Sequence, residues 1–118
     1  VDMAACETVL DVIRDNVPWV AVDVPHLWTA WAKEVVLKAD YVVITAMPDL
    51  ASLRNTKNLV DQLKASRPND RPPLLLLNQV GLPKRPEISV KDFAQAIELD
   101  PKVVIDFDAH LFGTASNN

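Results

Sequence analysis

Tyr41-Val42-Val43-Ile44-Thr45, then Ala46-Met47-Pro48-Asp49, then Leu50, Leu53, Val60 and Leu63 on one helical stripe form the stretch that decides the fold. Its first five residues are β-branched or aromatic, which suits a buried strand. Asp49 supplies a helix cap, because its carboxylate can accept from the free amides of a first turn. The stripe runs on towards Pro68, which lies just beyond the helix end. A strand feeding directly into a helix is the unit from which parallel sheets are built.

Downstream, Leu74-Leu75-Leu76-Leu77 is short, continuous and bounded by Pro72 and Pro73 before and Asn78-Gln79-Val80-Gly81 after. A buried strand fits it better than a helix. Ser89 caps a further helix with Phe93, Ala94 and Ile97 facing inward, and Val103-Val104-Ile105 makes a last strand ending in Asp106-Phe107-Asp108. Upstream, helical spacing from Trp28 through Trp31 to Val35 turns Lys33, Glu34 and Lys38 outward. Trp19-Val20-Ala21-Val22 reads as another strand, stopping at Asp23 and Pro25. Met3, Cys6, Val9, Leu10 and Ile13 oppose Glu7, Asp11 and Arg14 on an amphipathic helix that Pro18 ends. Four helix-then-strand units predict one α/β domain over residues 1–118. It is a parallel sheet of about four strands with right-handed crossovers and helices on both faces.

Composition narrows the function classes. The chain has 118 residues, 49% hydrophobic and 24% charged, which is the make-up of a globular domain. A net charge of -4 provides no general field for nucleic acid, so none is expected as a partner. No apolar run reaches the roughly 18 residues that span a bilayer, and Val1-Asp2-Met3-Ala4-Ala5 does not open a signal peptide. A cytoplasmic location is expected. Cys6 is the single cysteine and reads as a small buried apolar residue. Only Gly81 and Gly113 occur as glycines, so neither GxxxxGK[ST] nor GxGxxG can be written.

In parallel sheets, ligands bind at the carboxyl ends of the strands where strand order reverses. Asp23-Val24-Pro25-His26, Ala46-Met47-Pro48-Asp49, Asn78-Gln79 and Phe107-Asp108 should all lie on that rim. Asp23 can hold a magnesium-bound water beside phosphates, or serve as a turn or capping acid. Asn78 carries the donor and acceptor that pair with the N6 and N7 edge of adenine, or it caps the strand exit. His26 titrates near neutrality but is more simply a loop residue. Asp106 and Asp108 share a face only if the strand continues through both. Trp19, Trp28 and Trp31 read as core packing.

Five segments carry a resemblance: Trp19-Val-Ala-Val-Asp-Val-Pro, Ala39-Asp-Tyr-Val-Val-Ile-Thr, Met47-Pro-Asp-Leu-Ala-Ser-Leu-Arg-Asn, Leu77-Asn-Gln-Val-Gly-Leu-Pro-Lys-Arg-Pro-Glu-Ile and Phe112-Gly-Thr-Ala-Ser-Asn-Asn. Over essentially its whole length the chain resembles the CpaE-like proteins of Flp/Tad pilus assembly, in the MinD/ParA class of P-loop NTPases. The resemblance implies ATP and magnesium as cofactors of a longer parent protein, whose P-loop would lie upstream of Val1. It implies that Asp23 matches the strand-end acid leading to the second switch and a metal site. Asn78 then falls near the adenine base, and Asp108 among nucleotide-side loop contacts. It further implies an ATP-promoted homodimer, pilus-assembly and secretion proteins as partners, and recruitment to the inner membrane or cell pole without insertion. Where the class commonly carries glycine after the switch acid, Asp23 is followed by Val-Pro-His-Leu-Trp. This chain alone is not expected to hydrolyse ATP.

Two other readings compete. In a non-catalytic interaction domain of the pilus machinery, the rim residues only cap strands. A receiver domain has similar length and alternation, but it needs a phosphorylatable aspartate ending the middle strand, where Asn78 stands here.

Overall fold

The short strand β1 (Val43–Ala46) alternates cleanly, with Ile44 and Ala46 buried and Val43 and Thr45 exposed. One face of the sheet is therefore covered and the other is not. The computed structural model describes residues 3–25 and 29–117, and divides them between two compact units, Val1–Asp40 and Tyr41–Asn118.

The second unit contains β1, α3 (Leu50–Ser66), β2 (Leu74–Val80), α4 (Val90–Ile97), β3 (Pro101–Asp106) and α5 (Ala109–Asn117). The strands form one parallel sheet in the order β1-β2-β3. Ile44 pairs with Leu75 and Ala46 with Leu77, so the four buried strand residues share a face. Against that face α3 brings Val60, Leu63 and Thr56, and α4 brings Phe93, Ala94 and Ile97. Leu75, Leu77, Phe93, Ile97 and Val60 are essentially sealed from solvent. Each such side chain contributes about 1.5–3 kcal/mol of burial.

Capping fixes where these helices begin. Asp49 Oδ1 accepts from the Ser52 amide at 2.7 Å, and Ser89 Oγ accepts from the Asp92 amide at 3.1 Å. Each satisfies one of the amides that a helix start leaves free.

Two expectations fail in this unit. The sheet has three strands rather than about four, and its two crossover helices, α3 and α4, lie on one face rather than on both. Strands added in chain order by crossovers of one hand must place every crossover helix on the same side. Val43 at 58% and Val103 at 47% exposure lie on the opposite, open face. Helix α5 follows the sheet and was not foreseen.

In the first unit, α1 (Met3–Asn16) touches α2 (Ala30–Lys38). Lys38 Nζ bridges Glu34 at 2.9 Å and Glu7 at 3.3 Å, and the two hydrogen-bonded carboxylates, Glu34 first, raise its pKa. Only Ala32 and Val36 are buried in these two helices, and α1 buries nothing fully. The stripe read as its core face is only half covered, with Val9 56% exposed and Cys6 half-buried. A unit of this size has too little apolar surface to seal a core.

Residues 17–25 carry neither helix nor strand. The strand expected at Trp19-Val20-Ala21-Val22 is absent because an extended run becomes a strand only by hydrogen bonding to a neighbour, and the three-stranded sheet does not include it. Trp19 is 83% exposed instead of packed, and Trp31 is half-buried. His26 and Trp28 lie outside the described residues.

Candidate functional site

The carboxyl end of β2 is irregular in a specific way. Leu77 pairs with Val104 and Val80 with Asp106, so three steps along β2 match two along β3. The surplus residue makes a β-bulge at Asn78-Gln79, a device that re-aims side chains at sheet ends. Gln79 takes a left-handed φ of 54°, which costs a residue with a Cβ roughly 1–2 kcal/mol.

Arg85 holds that conformation. Its Nη2 donates to the Gln79 carbonyl at 2.6 Å and meets Glu87 Oε2 at 3.2 Å. The Glu87 carboxylate accepts from the Gly81 amide with both oxygens, at 2.9 and 3.2 Å. Gly81 at φ 86° and Lys84 at φ 63° complete the turn. On its far side the loop is tied to the end of β1, where the Ile88 amide donates to the carbonyl of buried Pro48 at 2.8 Å. Arg85 Nε is buried without a partner among the described residues. Burial of that donor is offset by the charge-assisted bonds of the same guanidinium.

Asn78 sits half-buried on this bulge. Its Oδ1 accepts from the Gln79 amide at 3.0 Å, and among the described residues Nδ2 has no hydrogen-bond partner. One lone pair and two donors are left, a set able to meet a ring edge that offers an acceptor beside a donor.

The carboxylates are differently placed. Asp108 Oδ1 accepts from the Leu111 amide at 2.9 Å and so caps α5, as Asp49 caps α3. β3 ends at Asp106, so Asp106 and Asp108 do not share a strand face. Phe107 between them stacks on Phe112 at 5.6 Å, which makes it a packing residue.

Asp23 is exposed in the irregular segment of the first unit and ends no strand. Among the described residues no group of three His, Cys, Asp or Glu side chains could hold a metal ion. Asp23 is a lone acid there, and the glycine-rich loop that would cradle phosphates is not in the sequence. Of the residues singled out from the sequence, Asn78 keeps hydrogen-bonding capacity, Asp108 is engaged as a helix cap, and Asp23 is an exposed acid.

The order β1-β2-β3 also runs without a reversal, so the crevice that marks ligand sites in open sheets does not occur within these strands. Reasoning from the sequence missed Arg85 and Glu87, although Pro83 and Pro86 bracket them in a way that signals a fixed loop. Among the described residues no helix is long and apolar enough to cross a membrane. No family model, no curated protein and no solved structure matches this chain.

Proposed function

We propose that this chain is part of an ATPase-like protein that assembles or positions Flp/Tad-type pili, a MinD/ParA-like P-loop NTPase domain whose base-side half is present here. The observation that carries the reading is Asn78, held on a clamped bulge at the carboxyl end of the middle strand with its Nδ2 available. The resemblance of Leu77-Asn-Gln-Val-Gly-Leu-Pro-Lys-Arg-Pro-Glu-Ile to the CpaE-like proteins supports it from the sequence side.

Asn78 would hold the base by hydrogen bonds to its edge. Asp108 would stand in the nucleotide-side loop, and Asp23 would serve as the switch or magnesium acid of the parent protein. ATP with magnesium would supply the switching energy there. This chain's own share is to orient the base and to build the surfaces of a cytoplasmic homodimer recruited to the inner membrane or pole by pilus-assembly proteins.

The test is an ATP–magnesium titration of a polypeptide extended upstream to include a phosphate-binding loop. Saturable binding weakened roughly 3- to 10-fold by Asn78→Ala is the expected result, the size of one lost hydrogen bond. Absence of binding in the extended polypeptide defeats the proposal. That outcome favours the second reading, an interaction domain without catalysis, for which the open face around Val43 and Val103 is the specific support.

A further inference from the structure

At the amino ends of β1 and β2, opposite the rim that carries Asn78, the second unit has a cleft of about 300 Å³. Val42, Leu63, Pro68 and Pro73 supply an apolar lining. Lys64, Arg67, Asp70 and Arg71 stand around its mouth. The volume is at the lower end of what small-molecule sites use, roughly 300–1,000 Å³.

Backbone hydrogen bonds and two prolines fix the chain on two sides of the cleft. The Arg67 amide donates to the Leu63 carbonyl at 2.7 Å and the Asp70 amide to the Arg67 carbonyl at 3.2 Å, which closes the turn after α3. Pro72 and Pro73 fix the approach to β2, and the Leu74 amide donates to the Val42 carbonyl at 2.8 Å. Little order has to be created when a ligand enters.

Charge then selects the ligand. Arg67 Nε is paired with Asp70 Oδ2 at 2.8 Å, so those two charges cancel. Arg71 has no carboxylate partner among the described ion pairs and sits over the Tyr41 ring at 4.3 Å, a cation–π contact that restrains its guanidinium. Lys64 is only loosely engaged, 3.9 Å from an exposed Glu98. The carbonyl end of α3 adds about half a negative charge nearby. With Glu98 facing Lys64 and that partial charge beside the two cations, the mouth carries a small net positive charge, which suits a singly charged anion.

We propose that this cleft binds a small monoanion with an apolar body, an aryl or branched-alkyl carboxylate. The hydrocarbon lies on Val42, Leu63 and Pro73, and the carboxylate accepts from Arg71 and Lys64. Nothing in the proposal depends on the nucleotide reading.

The experiment is a nitrogen-15 amide titration with phenylacetate, with phenylacetamide and acetate as controls. Saturable shifts at Val42, Leu63, Lys64 and Arg71 in the millimolar range are expected, with each control at least about fivefold weaker. Lys64→Gln with Arg71→Gln changes two exposed side chains, so the fold should persist, and phenylacetate binding should fall about fivefold. No saturable shift by about 10 mM, equal binding of phenylacetamide, or shifts confined to the open sheet face would each overturn the proposal.

Discussion

Arg85 donates to the carbonyl oxygen of Gln79 at 2.6 Å, and this one bond ties the loop after β2 to the bulge that ends the strand. Arg85→Ala removes it together with the Glu87 contact, and leaves a left-handed Gln79 without its restraint. A stability loss of about 1–3 kcal/mol is expected in urea unfolding, with Arg85→Lys recovering only part of it because a lysine has no planar fork. An unchanged midpoint would show that the loop holds its shape without the guanidinium.

The two glycines should respond to alanine in opposite directions. Gly81 has φ +86°, where a side chain is strained although space is open, so Gly81→Ala should cost about 1 kcal/mol or more. Gly113 lies inside α5 with nothing near its missing Cβ, so Gly113→Ala should stabilise the helix by roughly 0.5–1 kcal/mol. Thermal unfolding followed by circular dichroism reads both.

Core and surface should separate just as clearly. Leu75 is fully sealed, and Leu75→Ala should cost about 2–5 kcal/mol. Trp19→Ala, at an 83% exposed position, should stay within about 0.5 kcal/mol despite the larger side chain removed. A large loss at Trp19 in denaturant titrations would mean that the segment is covered in solution.

Much of this arrangement can be read from the residues. Helix α4 is legible because Ser89 caps it and Phe93, Ala94 and Ile97 repeat at helical spacing. Strands β1 and β2 are legible because short apolar runs stop at turn residues. The run at Trp19-Val22 has the same character and forms no strand, since apolar content makes a strand possible while a hydrogen-bonded neighbour makes it real.

The bulge was hidden for a different reason. Left-handed positions announce themselves when glycine fills them, and here Gln79 does, held by a residue six positions on. Helix α5 was hidden by Gly113, Thr114 and Ser116, all weak helix formers. Asn78 was legible as a polar strand end, and the direction its bonds take was not.

Lys38 gives a pH test. Its folded-state pKa is raised above the ordinary 10.5 by hydrogen bonds from its ammonium to Glu34 and Glu7. A raised value means that the stabilisation is complete below the unfolded lysine pKa and fades as pH climbs through the folded one. The stability difference between the protein and Lys38→Met should therefore be constant near neutrality and vanish in strongly alkaline buffer. A difference that grows with alkalinity would contradict the sign.

Strand order has a consequence for how the second unit is made. Each strand pairs with the next one along the chain, and each closing loop is spanned by its own helix. By the time Val80 leaves the ribosome, β1, α3 and β2 can already associate, and β3 has only to dock on a waiting edge. Such nearest-neighbour wiring keeps loop-closure entropy as small as a parallel sheet allows and favours vectorial assembly over a search among more distant pairings.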